Sequence, residues 1–302
     1  NVFIAGNQAA LGGGGLYFRQ YSNPVVEGCS LTGNNATGAT ATGGAIRTYM
    51  ASSTVCLVLR NTEIFGNSAG GDGGGIYLSN TSVIMRNCTI VYNNSGDEGG
   101  GAWLRGDPAA GYFHEIRDSI FWQNGATTGS PQIYVYSLAA PTIDYCDVMG
   151  GWPGIGNIDA DPMTVGISGH SFCLSQVAAG QPADSPCVDA GSTLAVNVGM
   201  HTASTRTDGV ADAGIVDMGY HYGPYTPLAL DGFGYQISAS TGGAIPFLLV
   251  AGAENANRNY FILASISGTS PGLPLPPGTV TLPLNWDLMT DLTISYANSP
   301  DM

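Results

Sequence analysis

The 302-residue sequence contains no lysine, and charged residues make up only 10% of it, against a typical share of about 25%. All eight basic residues are arginine, and the formal net charge is -14. We therefore expect no nucleic-acid partner, because phosphate binding needs clustered positive charge. No apolar run reaches about 18 residues, so the sequence predicts no membrane span. A hydrophobic share of 44% argues against disorder.

Signatures of known catalytic chemistry are also missing. The chain contains no GxSxG, HExxH or P-loop sequence. Its six cysteines match no zinc pattern, and its four histidines are widely separated, which is typical of structural residues. Asp97 and Glu98 lie one repeat after Asp72, and we interpret all three as solvated turn residues rather than an acidic pair. The sequence thus predicts no enzyme and no obligatory cofactor.

Glycine is abundant, with 45 residues, and the glycines form short blocks that recur along the first half of the chain. Each block is followed by apolar, strand-like runs and then by an asparagine. These asparagines are Asn7, Asn34, Asn67, Asn93 and Asn124. A repeat near 26 residues with occasional insertions is typical of a solenoid.

Alignment of the repeats on these asparagines predicts the direction of most side chains. Three residues before each asparagine lies an apolar residue, as in Leu31, Ile64 and Ile90, which we expect to face the interior. Three short strands per turn, stacked on their counterparts, predict an all-β, right-handed parallel β-helix of about five to six turns over residues 1–150. The asparagines are predicted to form an internal ladder of amide hydrogen bonds and to use their left-handed backbone tolerance at that corner.

Two predicted outward columns are candidate contact surfaces. One contains Glu27, Arg60, Arg86, Arg117 and Asp144. It is interpreted either as a salt-bridged, solvated face or as a groove in which arginine forks bind an acidic polysaccharide.

The second outward column contains aromatic residues, which can stack on sugars or on another protein unless other segments cover them. It consists of Tyr17, Arg47, Tyr77, Trp103 and Tyr134.

From Asp118 to Tyr222 the chain resembles bacterial right-handed β-helix repeat surface proteins. The stretches that carry the resemblance are "SIFWQN", "PQIYV", "DYCDVMGGWPGIGNIDADP", "SPCVDAGS" and "VDMGYHY". The resemblance implies that residues 151–223 form the last turn and C-terminal cap. It also implies a secreted or cell-surface location and usually no catalytic activity.

Residues 224–302 change character, with frequent proline and no repeat, and they more weakly resemble small C-terminal modules of similar surface proteins. Strand-like runs at 247–251, 260–266, 279–284 and 292–296 predict a small antiparallel β-sandwich that is either incomplete or completed by a strand of another chain.

Cysteine and aspartate supply two further hypotheses. Cys173 and Cys187 lie on two candidate neighbouring strands, so a disulfide and two free thiols both stay open. Ca²⁺ could bind the acidic loops, Asp159 and Asp161 first among them. The other oxygen donors of those loops are Asn157, Asp208, Asp212 and Asp217.

Together these observations predict an extracellular structural or adhesive protein that associates with its own copies and could form a filament. Because the first residues lie within a repeat, we interpret the chain as a product of a longer precursor whose first turn a neighbour could cover. The alternative is a domain that binds or cleaves polysaccharide through Arg60, Arg86 and Arg117.

Overall fold

A computed structural model describes residues 2–19, 23–49, 55–137, 139–167 and 170–223, together with four short strands after residue 229. The chain divides into two compact units, Asn1–Leu249 and Val250–Met302. No helix in the described part is long and apolar enough to cross a membrane.

The first unit begins as a parallel β-helix, and each turn contributes one strand to each of four parallel sheets, which we number I to IV in the order of the chain. Sheet I contains β1 (Phe3–Ala5), β5 (Ser30–Thr32), β9 (Glu63–Phe65), β13 (Thr89–Val91), β17 (Ile120–Trp122) and β21 (Asp147–Val148). Sheet II contains β2 (Gln8–Ala9), β6 (Asn35–Ala36), β10 (Ser68–Ala69), β14 (Asn94–Ser95) and β18 (Gly125–Ala126). Sheet III contains β3 (Leu16–Arg19), β7 (Ile46–Tyr49), β11 (Ile76–Ser79), β15 (Ala102–Arg105) and β19 (Ile133–Val135). Sheet IV contains β4 (Val25–Glu27), β8 (Cys56–Arg60), β12 (Ser82–Arg86), β16 (His114–Arg117) and β20 (Thr142–Asp144).

Shorter elements complete the described structure. Three 3₁₀ helices are Pro108–Ala110, Val177–Ala179 and Ala195–Val198. Three antiparallel pairs join β22 (Thr164–Ile167) with β23 (His170–Leu174), β24 (Leu230–Gly232) with β25 (Phe247–Leu249), and β26 (Leu273–Leu275) with β27 (Val280–Leu282). β25 and β27 overlap two of the four strands predicted for a C-terminal sandwich. The other two lie outside the described residues.

The predicted register is confirmed. Ile64 pairs with Leu31 on one side and with Ile90 on the other, and all three are fully buried. The predicted number of strands per turn was too low. The two-residue strands of sheet II follow each asparagine and are too short to give a periodic signal.

The asparagine ladder is present along the interior. Each Nδ2 atom donates to the Oδ1 atom of the next asparagine, at 3.0 Å from Asn7 to Asn34 and 2.9 Å from Asn67 to Asn93. Gln132 continues the row, because its Oε1 atom accepts from Asn124 Nδ2 at 2.7 Å. The left-handed backbone lies one residue earlier than predicted, for example at Gly66 and Tyr92. The asparagines are therefore required for the hydrogen bonds of their side-chain amides and not for a left-handed backbone.

Residues after the last turn do two different things. Trp152 packs against the end of the core, and Asn157 donates to the carbonyl of Ile143 at 2.8 Å, so this stretch closes the coil. Residues 170–223, which we call the return segment, instead run back along the outer face of sheet I. Met218 packs with Ile120 there. The predicted cap of residues 151–223 thus combines an end closure and a lateral cover.

Of the two alternatives left open for Cys173 and Cys187, the structure has two buried free thiols rather than a disulfide. Cys173 lies opposite Val165 in the β22–β23 hairpin, and Cys187 lies in a turn rather than on a neighbouring strand. The Cys187 Sγ atom instead donates to Asp147 Oδ2 at 3.3 Å. Burial raises the pKa of Asp147 to about 6. The other four cysteines are also buried free thiols, as predicted for those three in the inward column.

Candidate functional site

The arginine column lies on the outer face of sheet IV, in the predicted register, but it is paired with acids. Arg86 Nη2 lies 2.8 Å from Glu115 Oε1, and Arg117 Nε lies 3.2 Å from the same oxygen. Arg117 also approaches Asp144 at 3.7 Å, and Arg60 approaches Glu27 at 3.7 Å. Three carboxylates thus face three guanidinium groups, and the column has no excess of positive charge.

Arg60 is also less accessible than the sequence indicated, because only 8% of its surface is exposed. The geometry therefore favours the salt-bridged interpretation of this column over a groove for an acidic polymer. The sequence could have revealed Glu115, which lies two residues before Arg117 and so faces the same side of the strand.

The aromatic column lies on the outer face of sheet III, again in the predicted register. Tyr77 and Trp103 stack with ring centroids 4.4 Å apart and planes 14° apart. Tyr136, just after β19, covers Trp103 at 5.2 Å, while the Arg47 guanidinium lies 5.0 Å from the Tyr17 ring centroid. We call Tyr17, Arg47, Tyr77, Trp103, Tyr134 and Tyr136 the aromatic face.

Exposure varies along the aromatic face. Tyr17 and Tyr136 are exposed by 44% and 43%, Tyr77 and Tyr134 are half-buried, and Trp103 is only 4% exposed. Trp103 therefore supports its neighbours more than it offers a free surface of its own. Because the strands of sheet III stack on one another, the rings lie roughly one strand spacing, about 4.8 Å, apart along the coil.

An acidic corner borders the aromatic face where the chain turns from sheet II to sheet III. Asp72 accepts from the backbone N–H of Glu98 at 3.2 Å, and Thr128 Oγ1 donates to Asp97 Oδ1. Trp103 Nε1 donates to Glu98 Oε2 at 3.3 Å. These carboxylates are held by protein groups, whereas the sequence predicted turn residues bonded to water.

Electrostatics couple the acidic corner to the rings beside it. Burial, together with the neighbouring charges of Asp97 and Glu98, raises the pKa of Asp72. A hydrogen bond to the Glu98 carboxylate raises the pKa of Tyr134. A surface with stacked rings and an edge of carboxylate acceptors has the groups that contact sugars, since rings pack on C–H faces and carboxylates accept from hydroxyls.

Asp159 and Asp161, the first of the proposed calcium ligands, are each used by the protein's own backbone. Asp159 Oδ1 accepts from the Gly150 N–H at 3.0 Å, and Asp161 Oδ1 accepts from the Met163 N–H at 2.9 Å, so each carboxylate fixes a turn. Asp208 is exposed and pairs with Arg206 at 2.6 Å.

One compact group of metal-type ligands occurs within the described residues, namely Asp212, Asp217 and His221, all buried. His221 Nε2 lies 2.9 Å from Asp212 Oδ2, which also accepts from the Asp217 N–H at 3.0 Å. Asp217 accepts from the Asp189 N–H at 2.7 Å and from Thr205 Oγ1. Because these oxygens already hold protein donors, and because Ca²⁺ prefers oxygen ligands alone, the group fits a structural network better than a calcium site. His221 is structural, as predicted, but it is not isolated.

The sequence also gave no indication of a pocket between sheet I and the return segment. There Tyr222 donates its hydroxyl to Glu63 Oε2 at 3.0 Å, and Glu63, predicted to face outward, is covered. Alternate residues of "VDMGYHY", from Met218 to Tyr220 and Tyr222, point to sheet I. This period of two could have predicted that the segment packs one side against a sheet.

Comparison with known proteins agrees with the coil. Residues 1–115 match the family described as right handed beta helix region. With the four stacked sheets, this match supports a right-handed parallel β-helix repeat protein. Searches of curated proteins and of solved structures gave no match.

Proposed function

We propose that this chain is an extracellular structural or adhesive protein whose aromatic face binds a polysaccharide without cleaving it. The observation that carries the proposal is the stacked Tyr77–Trp103 pair, flanked by exposed Tyr17 and Tyr136 and bordered by the carboxylates of Asp72, Asp97 and Glu98. A long polymer suits such a surface, because equivalent contacts repeat at each turn.

The ion pairs of sheet IV support the choice of this surface over the arginine column. A polyanion would have to displace Glu115 from both Arg86 and Arg117 before it gained their charge. The aromatic face requires no such displacement, and we expect it to prefer neutral sugar chains.

Binding to a panel of neutral and acidic polysaccharides tests the proposal. Tyr17→Ala and Tyr77→Ala should each weaken binding of the preferred chain by about tenfold, in line with about 1–1.5 kcal/mol for an exposed aromatic contact. Tyr92→Ala is the matched control, since Tyr92 is 49% exposed away from the aromatic face. Equal losses in all three variants would contradict the proposal.

Two further measurements on the same variants test the alternatives, namely that the chain cleaves polysaccharide or that it associates with its own copies. Release of new reducing ends or unsaturated products, lost in Glu98→Gln, would assign catalysis to the acidic corner. Light scattering on the wild type and on Tyr17→Ala would detect association between copies. If Tyr17→Ala abolishes association and no polysaccharide binds, the aromatic face serves assembly and the glycan proposal fails.

A further inference from the structure

The pocket between sheet I and the return segment lies beside the first turns of the coil and the end of the return segment. Its volume is about 440 Å³. The residues that matter for its chemistry are Ser30, Glu63, Phe65, His170, Tyr220 and Tyr222.

The pocket contains a buried carboxylate that forms no ion pair with the described residues. Glu63 is only 7% exposed, and its Oε2 atom accepts a hydrogen bond from the Tyr222 hydroxyl at 3.0 Å. No arginine or histidine of the described residues lies within 4.0 Å of the Glu63 carboxylate, although every arginine of sheet IV has an acid. Burial raises the pKa of Glu63, and side-chain hydrogen bonds from Ser30 and Tyr222, together with the nearby His170, partly oppose the rise. A buried carboxylate that lacks a counter-charge is costly, and a cation that enters the pocket would relieve that cost.

Aromatic rings form the walls around this carboxylate. The rings of Tyr220 and Tyr222 pack edge to face, with centroids 4.8 Å apart and planes at 89° to each other. His170 stacks on Tyr222 at 4.2 Å, which fixes the orientation of the Tyr222 ring. Tyr222 is further held because its hydroxyl accepts from the Phe172 N–H at 2.7 Å. The walls are thus rigid before any ligand binds.

Aromatic rings beside a carboxylate are the groups that recognise an organic ammonium. The ring faces carry negative potential and tolerate methyl groups, while the carboxylate supplies the charge. A hydrated metal ion would gain little from the rings, and an anion would be repelled by Glu63. We propose that this pocket binds a small organic cation of the methylated or quaternary ammonium class, with its charge beside Glu63 and its methyl groups against Phe65 and Tyr220.

Calorimetric titration of the full chain with choline tests the proposal, with 3,3-dimethylbutan-1-ol as the neutral probe of the same shape. Sodium chloride at equal ionic strength controls for non-specific attraction to a protein of net charge -14. Choline should bind at least about tenfold more tightly than the alcohol. Absence of choline binding, or equal binding of the two probes, would overturn the proposal.

Variants locate the site. Glu63→Gln keeps an acceptor for the Tyr222 hydroxyl but removes the charge, and it should weaken choline binding by at least about tenfold. Tyr220→Leu, which keeps an apolar wall, should weaken choline binding and leave the alcohol unaffected. This variant decides the question if Glu63→Gln fails to fold.

Asp184→Asn is the control, because it removes one exposed charge elsewhere in the return segment, and it should not change choline binding. Choline binding that survives Glu63→Gln and disappears in Glu98→Gln would place the cation on the aromatic face and refute the inference.

Discussion

The side chain of Asn61 exchanges two hydrogen bonds with the backbone of His221, which lies 160 residues later in the chain. Asn61 Nδ2 donates to the His221 carbonyl at 3.0 Å, and the His221 N–H donates to Asn61 Oδ1 at 2.7 Å. Two turns further along the coil, Asp118 accepts from the N–H and hydroxyl of Ser192. This corner of the coil is therefore the seam that holds the return segment.

Loss of the Asn61 amide should loosen that seam. Asn61 has a left-handed backbone, with φ of 39°, so Asn61→Gly keeps the conformation and removes only the two hydrogen bonds. We expect a loss of about 1–3 kcal/mol in the free energy of unfolding and faster amide exchange in residues 170–223. Chemical denaturation and hydrogen exchange measure the two effects.

Asn80→Gly is the matched control, because Asn80 shares the left-handed backbone, with φ of 49°, but lies at a different corner of the coil, between β11 and β12. A similar loss of stability in Asn80→Gly would mean that backbone conformation, rather than the seam, causes the effect.

The asparagine ladder should tolerate a carboxylate at its end but not at its centre. Asn93 Nδ2 donates to Asn124 Oδ1 at 3.0 Å and to the Ile64 carbonyl at 2.9 Å. Asn93→Asp would place oxygen against oxygen in a dry interior, and we expect it to cost about 3–5 kcal/mol or to prevent folding.

Asn7→Asp is the comparison, because Asn7 is the exposed first residue of the ladder. We expect a change of about 1 kcal/mol or less in the thermal or chemical unfolding curve, since water can solvate the new charge. Equal destabilisation by the two substitutions would show that depth within the ladder does not matter.

His114 should make the protein acid-sensitive. Burial lowers the pKa of His114 from 6.5 to about 4, and its Nε2 atom has no hydrogen-bond partner among the described residues. Between pH 6.5 and about 4, His114 binds a proton in the unfolded chain but stays neutral in the folded protein. Stability is therefore lost as the pH falls from about 6.5 to about 4, by roughly 3 kcal/mol in total.

His114→Leu tests this expectation, because the neighbouring inward residues in register are Leu57 and Val83. The free energy of unfolding of the variant, relative to that of the wild type, should rise as the pH is lowered from 7.5 to 4.5. The wild type loses stability in this range because its unfolded chain binds a proton at His114. Urea titrations at both pH values measure it. The exposed His201→Asn serves as control, and a gain that does not depend on pH would contradict the assignment.

Glu115 should keep the arginine column from binding polyanions. Its carboxylate contacts both Arg86 and Arg117, so Glu115→Gln would remove the acid that these two guanidinium groups share, while Asp144 stays beside Arg117. We expect a loss of about 1 kcal/mol in stability at low salt, smaller at high salt, because these side chains are partly exposed.

The same variant should gain affinity for a sulfated polysaccharide that the wild type binds weakly. Retention on an immobilised polyanion, compared with the charge-matched Asp184→Asn, measures the gain. Strong binding by the wild type, lost in Arg86→Gln, would instead revive the arginine column as a site.

Sequence reasoning was effective wherever neighbours in space were one repeat apart. The rows through Ile64 and Ile90, the arginine and aromatic columns and the asparagine ladder were all predicted, because stacked turns repeat the same environment. Glu63 faces out of the coil as predicted, but its burial under Tyr222 was missed, because the repeat relates residues one turn apart and not residues 159 apart.

The amino-acid sequence alone determined the coil, its register and the side of each strand that faces the interior, since a strict alternation of small, apolar and polar residues admits only one winding. Only the tertiary structure decided which outer faces stay accessible. The return segment covers sheet I, acids neutralise the arginines of sheet IV, and the rings of sheet III keep exposed edges. The physical reason is that burial of an outward side chain depends on whichever distant segment packs against it, and that segment carries no repeat.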